Sequence, residues 1–403
     1  MRSGDDSPRL LCPLIQVPAF EPCARSELEP LLKWIGEDRP VSAATGFPRG
    51  TALPDGRLDL CKQALGLDGA LRVLEAIDGN HQIRSLLLGT DGLGDRGAAA
   101  AAAMIRDNRA PALETLYLGC NHIAEQGVAE LAEALALPHS PVQALWLKRN
   151  PVGPGGIAAL GALLRTGKLR LLDLTNTMLG DEGVEVLVAA LLDQHDPAAP
   201  GLERLLLGSN GVGPRGAAAL ARLLIRLPTL RELSLAVSRL GDEGARALAQ
   251  GLAHAHGLEH LNLASCAIGP AGLEELLTAL RPLPRLQQLD LGTTPSTATL
   301  GERDNDFEDL RGGAPIGSYL REEPALRRLD LRRSGLRSRG AMAVLAGLED
   351  NHRLIDLRLG KHVARSVLRR AAALIRRNRG GLELDEAPPD HVAAILSVYR
   401  SKR

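Results

Sequence analysis

LRLLDLTNTMLGDEG, residues 169–183, contains a strand, a turn and a helix start. Leu172 and Leu174 flank one outward residue, the two-residue period of a strand with one buried face, so both leucines point into a core. Three residues on stands Thr177, a small hydrogen-bonding side chain able to satisfy backbone groups left unpaired as the chain leaves the strand. The GDEG of residues 180–183 then opens a helix. Its acidic residues favour a helix N-terminus, and its glycines let the backbone turn and pack closely. Outward from this stretch the pattern recurs as LETLYLGCNHIAEQG from residue 113, VQALWLKRNPVGPGG from 142, LERLLLGSNGVGPRG from 202, LRELSLAVSRLGDEG from 230, LEHLNLASCAIGPAG from 258 and LRRLDLRRSGLRSRG from 326. The place of Thr177 is taken there by Asn121, Asn150, Asn210, Ser238, Cys266 and Ser334.

The second leucine of each pair falls at Leu60, Leu88, Leu118, Leu147, Leu174, Leu207, Leu235, Leu263, Leu291, Leu331 and Leu359. Leu207, Leu235, Leu263 and Leu291 are each 28 residues from the next. Leucines spaced three or four apart, such as Leu220, Leu223 and Leu224, follow each turn as an amphipathic helix. About 11 strand–helix repeats therefore predict an α/β solenoid, with a parallel sheet on a concave face and helices on a convex one. These residues resemble the ribonuclease-inhibitor-like subfamily of leucine-rich repeats, whose units run LxxLxLxxNxLGDEGAxxLAxAL. The resemblance covers roughly residues 57–380 and implies a right-handed horseshoe that binds proteins on its concave face and one loop rim. Members with related repeats include ribonuclease inhibitor, Ran GTPase-activating proteins and the sensing domains of NOD-like receptors. No residue pattern singles out one of them.

Composition narrows the classes. Aromatic residues make up 2% of the chain, so the core must be filled by Leu, Ala and Val, which suits thin repeated layers. Lys plus Arg and Asp plus Glu are 48 each, so no net field recruits nucleic acid. The five cysteines are odd in number and scattered, which points to free thiols in a reducing, cytoplasmic compartment. No apolar run approaches the roughly 18 residues of a membrane span, and MRSGDDSPRL lacks a signal core. Abundant Arg and Ala hint at a GC-rich, bacterial genome.

Residues 1–56 do not repeat. Within them ARSELEPLLKWIG, 24–36, is expected to form a helix that lays Leu28, Leu31, Leu32, Trp34 and Ile35 on the first unit as an N-terminal cap. Residues 381–403 are expected to be a C-terminal cap after a basic helix at 364–380, whose arginines read as a solvated face. The interval from Leu291 to Leu331 is 12 residues longer than the 28-residue norm. If Asn305 takes the usual Asn place, the surplus is the insertion 292–303, a loop on the rim that could touch a partner.

Residues between the paired leucines point out of the core. Among them Leu87, Tyr117 and Trp146 fall on adjacent strands, and rings at positions the core does not need are expected to anchor a partner. Asp173, Asp290, Asp330, Arg332 and Arg358 complete the expected binding face, with charges that tune specificity and association rate. No phosphate loop, nucleophile elbow or zinc motif stands out, and no acid/base pair supports a cysteine nucleophile at Cys12 or Cys23. His254, His256 and His260 straddle a helix end and a strand, with no carboxylate or cysteine at ligand spacing. The sequence thus predicts a protein-binding scaffold or inhibitor: no enzyme, no cofactor, no metal, and a monomer when free. Regulation of a nucleotide-hydrolysing enzyme is the alternative, and a ubiquitin-ligase-like effector a distant third.

Overall fold

The computed structural model describes residues 21–193, 201–322, 324–380 and 398–399. The chain forms two compact units, Cys12–Leu206 with Glu386–Arg403, and Leu207–Asp385 with Met1–Leu11.

The first unit opens with helix α1 (Arg25–Gly36) and short strands β1 (Thr45–Gly46) and β2 (Thr51–Ala52). Strand–helix alternation follows: β3 (Arg57–Asp59), α2 (Gly66–Ala76), β4 (Ser85–Leu87), α3 (Gly94–Arg106), β5 (Thr115–Tyr117), α4 (Glu125–Ala136), β6 (Ala144–Trp146), α5 (Gly153–Arg165), β7 (Leu171–Asp173), α6 (Gly180–Leu192) and β8 (Arg204–Leu206). From β3 onward the strands pair in parallel, with Leu58, Leu86, Leu116, Leu145, Leu172 and Leu205 in one register row. That row and the second leucines behind it are wholly buried.

The second unit repeats the scheme with α7 (Pro214–Arg226), β9 (Glu232–Ser234), α8 (Gly241–Leu252), β10 (His260–Asn262), α9 (Pro270–Leu280), β11 (Gln288–Asp290), α10 (Leu310–Arg321), β12 (Arg328–Leu331), α11 (Ser338–Leu348), β13 (Asp356–Leu359) and α12 (Arg365–Arg379). Its leucine row runs Leu233, Leu261, Leu289, Leu329 and Leu357.

The turn residues work as their chemistry suggests. Asn150 Oδ1 accepts the N–H groups of Asn121 (2.9 Å) and Ile123 (3.1 Å), while its Nδ2 donates to the carbonyls of Leu118 (3.0 Å) and Leu147 (2.8 Å). One buried amide thereby joins two successive turns. Asn305 does the same, donating to Leu263 and Leu291 and accepting from Cys266 and Ile268. Thr177 and Ser334 bond the carbonyl three residues back, at 2.6 and 2.8 Å. The residue just before most of these places, though not before Asn305, turns left-handed even without glycine, as at Cys120, Arg149 and Ser265. That turn aims its N–H at the following turn: Arg149 bonds the Thr175 carbonyl and Ser265 that of Gly292, at 2.8 and 3.0 Å.

At the first end, α1 buries Leu28, Leu31 and Ile35, while Leu32 and Trp34 are half-buried and Trp34 stacks on Phe47 at 5.5 Å. The sequence does not announce β1 and β2. They form an antiparallel hairpin that pairs with β3 and covers the sheet edge, closed by a Phe47 N–H to Gly50 carbonyl bond of 2.9 Å. The inserted residues 292–303 brace their own rim. Leu300 packs on Ala236, Val237 and Ala264, Thr297 Oγ1 meets Ser265 Oγ at 2.6 Å, and Glu302 pairs with Arg239 at 2.8 Å. In α12, Arg377 donates to the carbonyls of Leu348, Glu349 and Asn351, and Arg379 to that of Ile355, so part of the basic face clamps the preceding turn.

Candidate protein-binding face

Strand alternation brings Leu87, Tyr117 and Trp146 side by side on β4, β5 and β6, in the pairings Leu87–Tyr117 and Tyr117–Trp146. The two rings lie 5.7 Å apart at 37°. They join Cys61, Ala144 and Leu171 in one apolar cluster, with Leu206 packed against it. Ala144 and Leu171 escaped the sequence reading although the period of two places them on the same face, two residues before Trp146 and Asp173. Gly119 makes the packing possible: a Cβ there would come within 2.9 Å of the Tyr117 hydroxyl. Lys148 Nζ lies 5.5 Å from the Tyr117 ring centre and 5.2 Å from that of Trp146, within reach of both π faces, and 3.7 Å from Asp173 Oδ2.

The expected free surface is not what these side chains show. Leu87, Tyr117, Trp146 and Asp173 are 0%, 3%, 8% and 1% exposed, and Asp330 is 7% exposed. Neighbouring rings, Lys148 and the cluster itself enclose much of the stripe. Trp146 Nε1 is buried and has no hydrogen-bond acceptor among the described residues, the one polar handle of the stripe left for a ligand to take.

The aspartates have a local task that the sequence reading assigned to a partner. Asp173, Asp290 and Asp330 each accept the backbone N–H two residues on, at 2.8, 2.9 and 2.9 Å, as do Asp59 and Asn262. Each closes the turn that ends its strand. On β11–β13 the remaining charges pair among themselves: Arg332 with Asp330 at 2.6 Å, and Arg358 with Asp356 at 3.2 Å and Asp330 at 3.9 Å. Arg332 and Arg358 are exposed and Asp290 half-buried. Burial pushes the Asp290 carboxyl above its ordinary range, and the nearby Asp330 adds to this against the Gly292 N–H and the two arginines. The hydrogen bond to Asp330 in turn raises the Arg332 guanidinium.

Cys61, Cys120 and Cys266 are buried free thiols, Cys23 is half-buried, and Cys12 lies outside the described residues. Cys266 donates to the Leu235 carbonyl at 3.3 Å, and burial pushes its thiol up to about 12, so it stays protonated. Among the described residues no three His, Cys, Asp or Glu side chains group as metal ligands, and no helix is long and apolar enough to cross a membrane.

A family model described as "Leucine Rich repeat" matches residues 168–188, 226–249 and 254–277. The fold is a leucine-rich-repeat solenoid. Among curated relatives, the repeats are 32% identical over 136 residues to ribonuclease inhibitor of Sus scrofa, covering 33% of this chain and 29% of that protein. They are 30% identical over 136 residues, with the same coverage, to ribonuclease inhibitor of Mus musculus. Over 200 residues they are 30% identical to "NACHT, LRR and PYD domains-containing protein 3" of Bos taurus, covering 48% of this chain and 18% of that one. The chain thus spans under a third of the length of each of these relatives. All three are mammalian, and the expectation of a bacterial source gains no support. Solved structures with some likeness are Leiomodin-1 Actin-Binding Site 2, at 16% identity and a TM-score of 0.32, covering 50% of this chain and 90% of that one, and the tropomodulin C-terminal domain of Caenorhabditis elegans, at 16% and 0.31, covering 49% and 94%.

Proposed function

We propose that this chain is a protein-binding scaffold or inhibitor, working as a monomer in a cytoplasmic setting, that receives a partner protein on the open sheet face of its first unit. The observation that carries the reading is the Leu87–Tyr117–Trp146 stripe. The repeat core is built from the leucine row on the other side of the sheet, so the rings between the paired leucines form a second apolar cluster that the repeat itself does not require, and one of them keeps a buried N–H without an acceptor among the described residues. Aromatic anchors in desolvated pockets dominate protein interfaces. Relatives that include ribonuclease inhibitor support the same class of activity. The charged positions Asp290, Asp330, Arg332 and Arg358 form a separate polar surface on the second unit that would tune association rate more than affinity.

The test is capture from the native source on the tagged full chain, with mass spectrometry of what is retained. A stoichiometric protein lost on Trp146→Ala supports the reading; retention of no protein, or of one indifferent to that substitution, sinks it. Adding the purified chain to candidate GTPases separates the alternative, because a scaffold leaves turnover unchanged or lowered and an activator raises it.

A further inference from the structure

The first strands of the first unit carry a contact that repeat geometry does not supply. The backbone N–H of Val398 donates to Asp59 Oδ2 at 2.7 Å, and the Tyr399 hydroxyl meets Thr51 Oγ1 at 2.6 Å. The partners are 339 and 348 residues apart in sequence. Thr51 is on β2 and Asp59 on β3, and Asp59 pairs in register with Leu87, the first residue of the apolar stripe. Burial is the main influence that raises the Tyr399 phenol, with Asp59 and Cys61 close enough to add to it against the bond to Thr51. Asp59 is wholly buried, as are its counterparts Asp173 and Asp330 with the same bond two residues on, so its Oδ1 closes the local turn while its Oδ2 is left for the Val398 N–H. Residues 398 and 399 are the described part of the stretch expected to cap the last repeat, and here they belong to the first unit.

We propose that Val398 and Tyr399 form an intramolecular latch, seated on Thr51, Asp59 and Cys61 at the edge of the aromatic stripe, and that a partner reaching for the stripe must displace it. The occupant is this chain's own segment. Two hydrogen bonds and a half-buried ring tie the segment to β2 and β3. Tethering converts the same contact into one with a high effective concentration, enough to hold it closed yet open to competition by a tighter ligand. The latch itself stands without a partner. Its role as a gate rests on the binding reading above.

Thiol labelling of the full chain tests it, because Cys61 is wholly buried and tryptic mass spectrometry distinguishes it from Cys120 and Cys266. In Tyr399→Ala, and in Val398→Pro, which deletes the N–H donated to Asp59, alkylation of Cys61 by N-ethylmaleimide should accelerate about tenfold or more while Cys120 and Cys266 keep their wild-type rates. Unchanged Cys61 labelling in both variants overturns the latch. Should either variant loosen globally, so that all three thiols speed up together, Tyr399→Phe decides: it removes only the hydroxyl that meets Thr51, and a severalfold rise at Cys61 alone supports the latch while none refutes it. The gate is read separately from the captured partner. Faster Cys61 labelling with no gain in partner affinity for Tyr399→Ala would leave the latch and overturn its role as a gate, whereas a gain of about tenfold means the closed form outweighs the open by that factor.

Discussion

Two stretches of sheet in this molecule are built on the same repeat and differ in what they carry. On β4–β6 the residue between the paired leucines is Leu87, Tyr117 or Trp146, all buried; on β11–β13 it is Asp290, Asp330 or Arg358, half-buried, buried and exposed in turn. The leucines behind them are interchangeable, so the difference is not one of fold. The repeat fixes the inner face and leaves the outer residue free, and the same position can become an apolar pocket or a hydrated ion-pair array.

The contrast is sharpest in mutational cost. Leu147→Ala should destabilise by roughly 2 to 5 kcal/mol, and Trp146→Ala, an outer residue, by about 3 kcal/mol because its ring is enclosed. Arg358→Ala, at the matching position of β13, should stay within about 0.5 kcal/mol. Chemical denaturation of the three variants checks the order; a Trp146→Ala chain as stable as Arg358→Ala would mean the stripe is not packed. Removal of a whole turn amide comes next. Asn150→Ala leaves two N–H groups and the Leu147 carbonyl without that partner, while the Leu118 carbonyl keeps Asn121 Nδ2, and should cost on the order of 3 kcal/mol, whereas Ser334→Ala, which removes one bond, should cost about 1 kcal/mol.

Smaller effects probe the electrostatics. Lys148→Met should cost about 0.5 to 1 kcal/mol by removing the ammonium from both rings, part of which its apolar stem restores. The smallest effect belongs to Asp290. Its carboxyl binds a proton more tightly in the fold than when unfolded, so its contribution is most favourable below the ordinary value of 3.8 and is lost as pH rises through the raised one. Asp290→Asn, which can still accept the Gly292 N–H, should therefore melt slightly higher than wild type at pH 7, with the advantage shrinking as pH falls towards that range. A lower melting temperature at pH 7 would show that the arginines outweigh burial.

Much of this was legible in the sequence, for a physical reason. Leu-x-Leu and the turn residue are set by bonds within one repeat or between neighbours, so they recur and can be aligned; that is why Asn305 could be placed despite the longer interval, and why Tyr117 and Trp146 could be put on one face. Burial of that face was not legible, since exposure depends on what lies over a strand and not on its own period. The local task of the aspartates was not legible either, because a carboxylate between two leucines reads as a surface charge, while its bond to the N–H two residues on shows only in three dimensions. The hairpin at Thr45–Ala52 had only short turn signals, GFPRG and PDG, and the Tyr399–Thr51 bond joins the two ends of the chain, where local pattern says nothing.

The most direct measurement of the central claim is the affinity of the captured partner for full-length Trp146→Ala and Arg358→Ala, by calorimetry at a temperature where circular dichroism shows both folded. The aromatic stripe as anchor predicts a loss of about 2 kcal/mol, roughly thirtyfold, for Trp146→Ala and a change of no more than about twofold for Arg358→Ala. Equal losses, or a greater loss at Arg358, would contradict it.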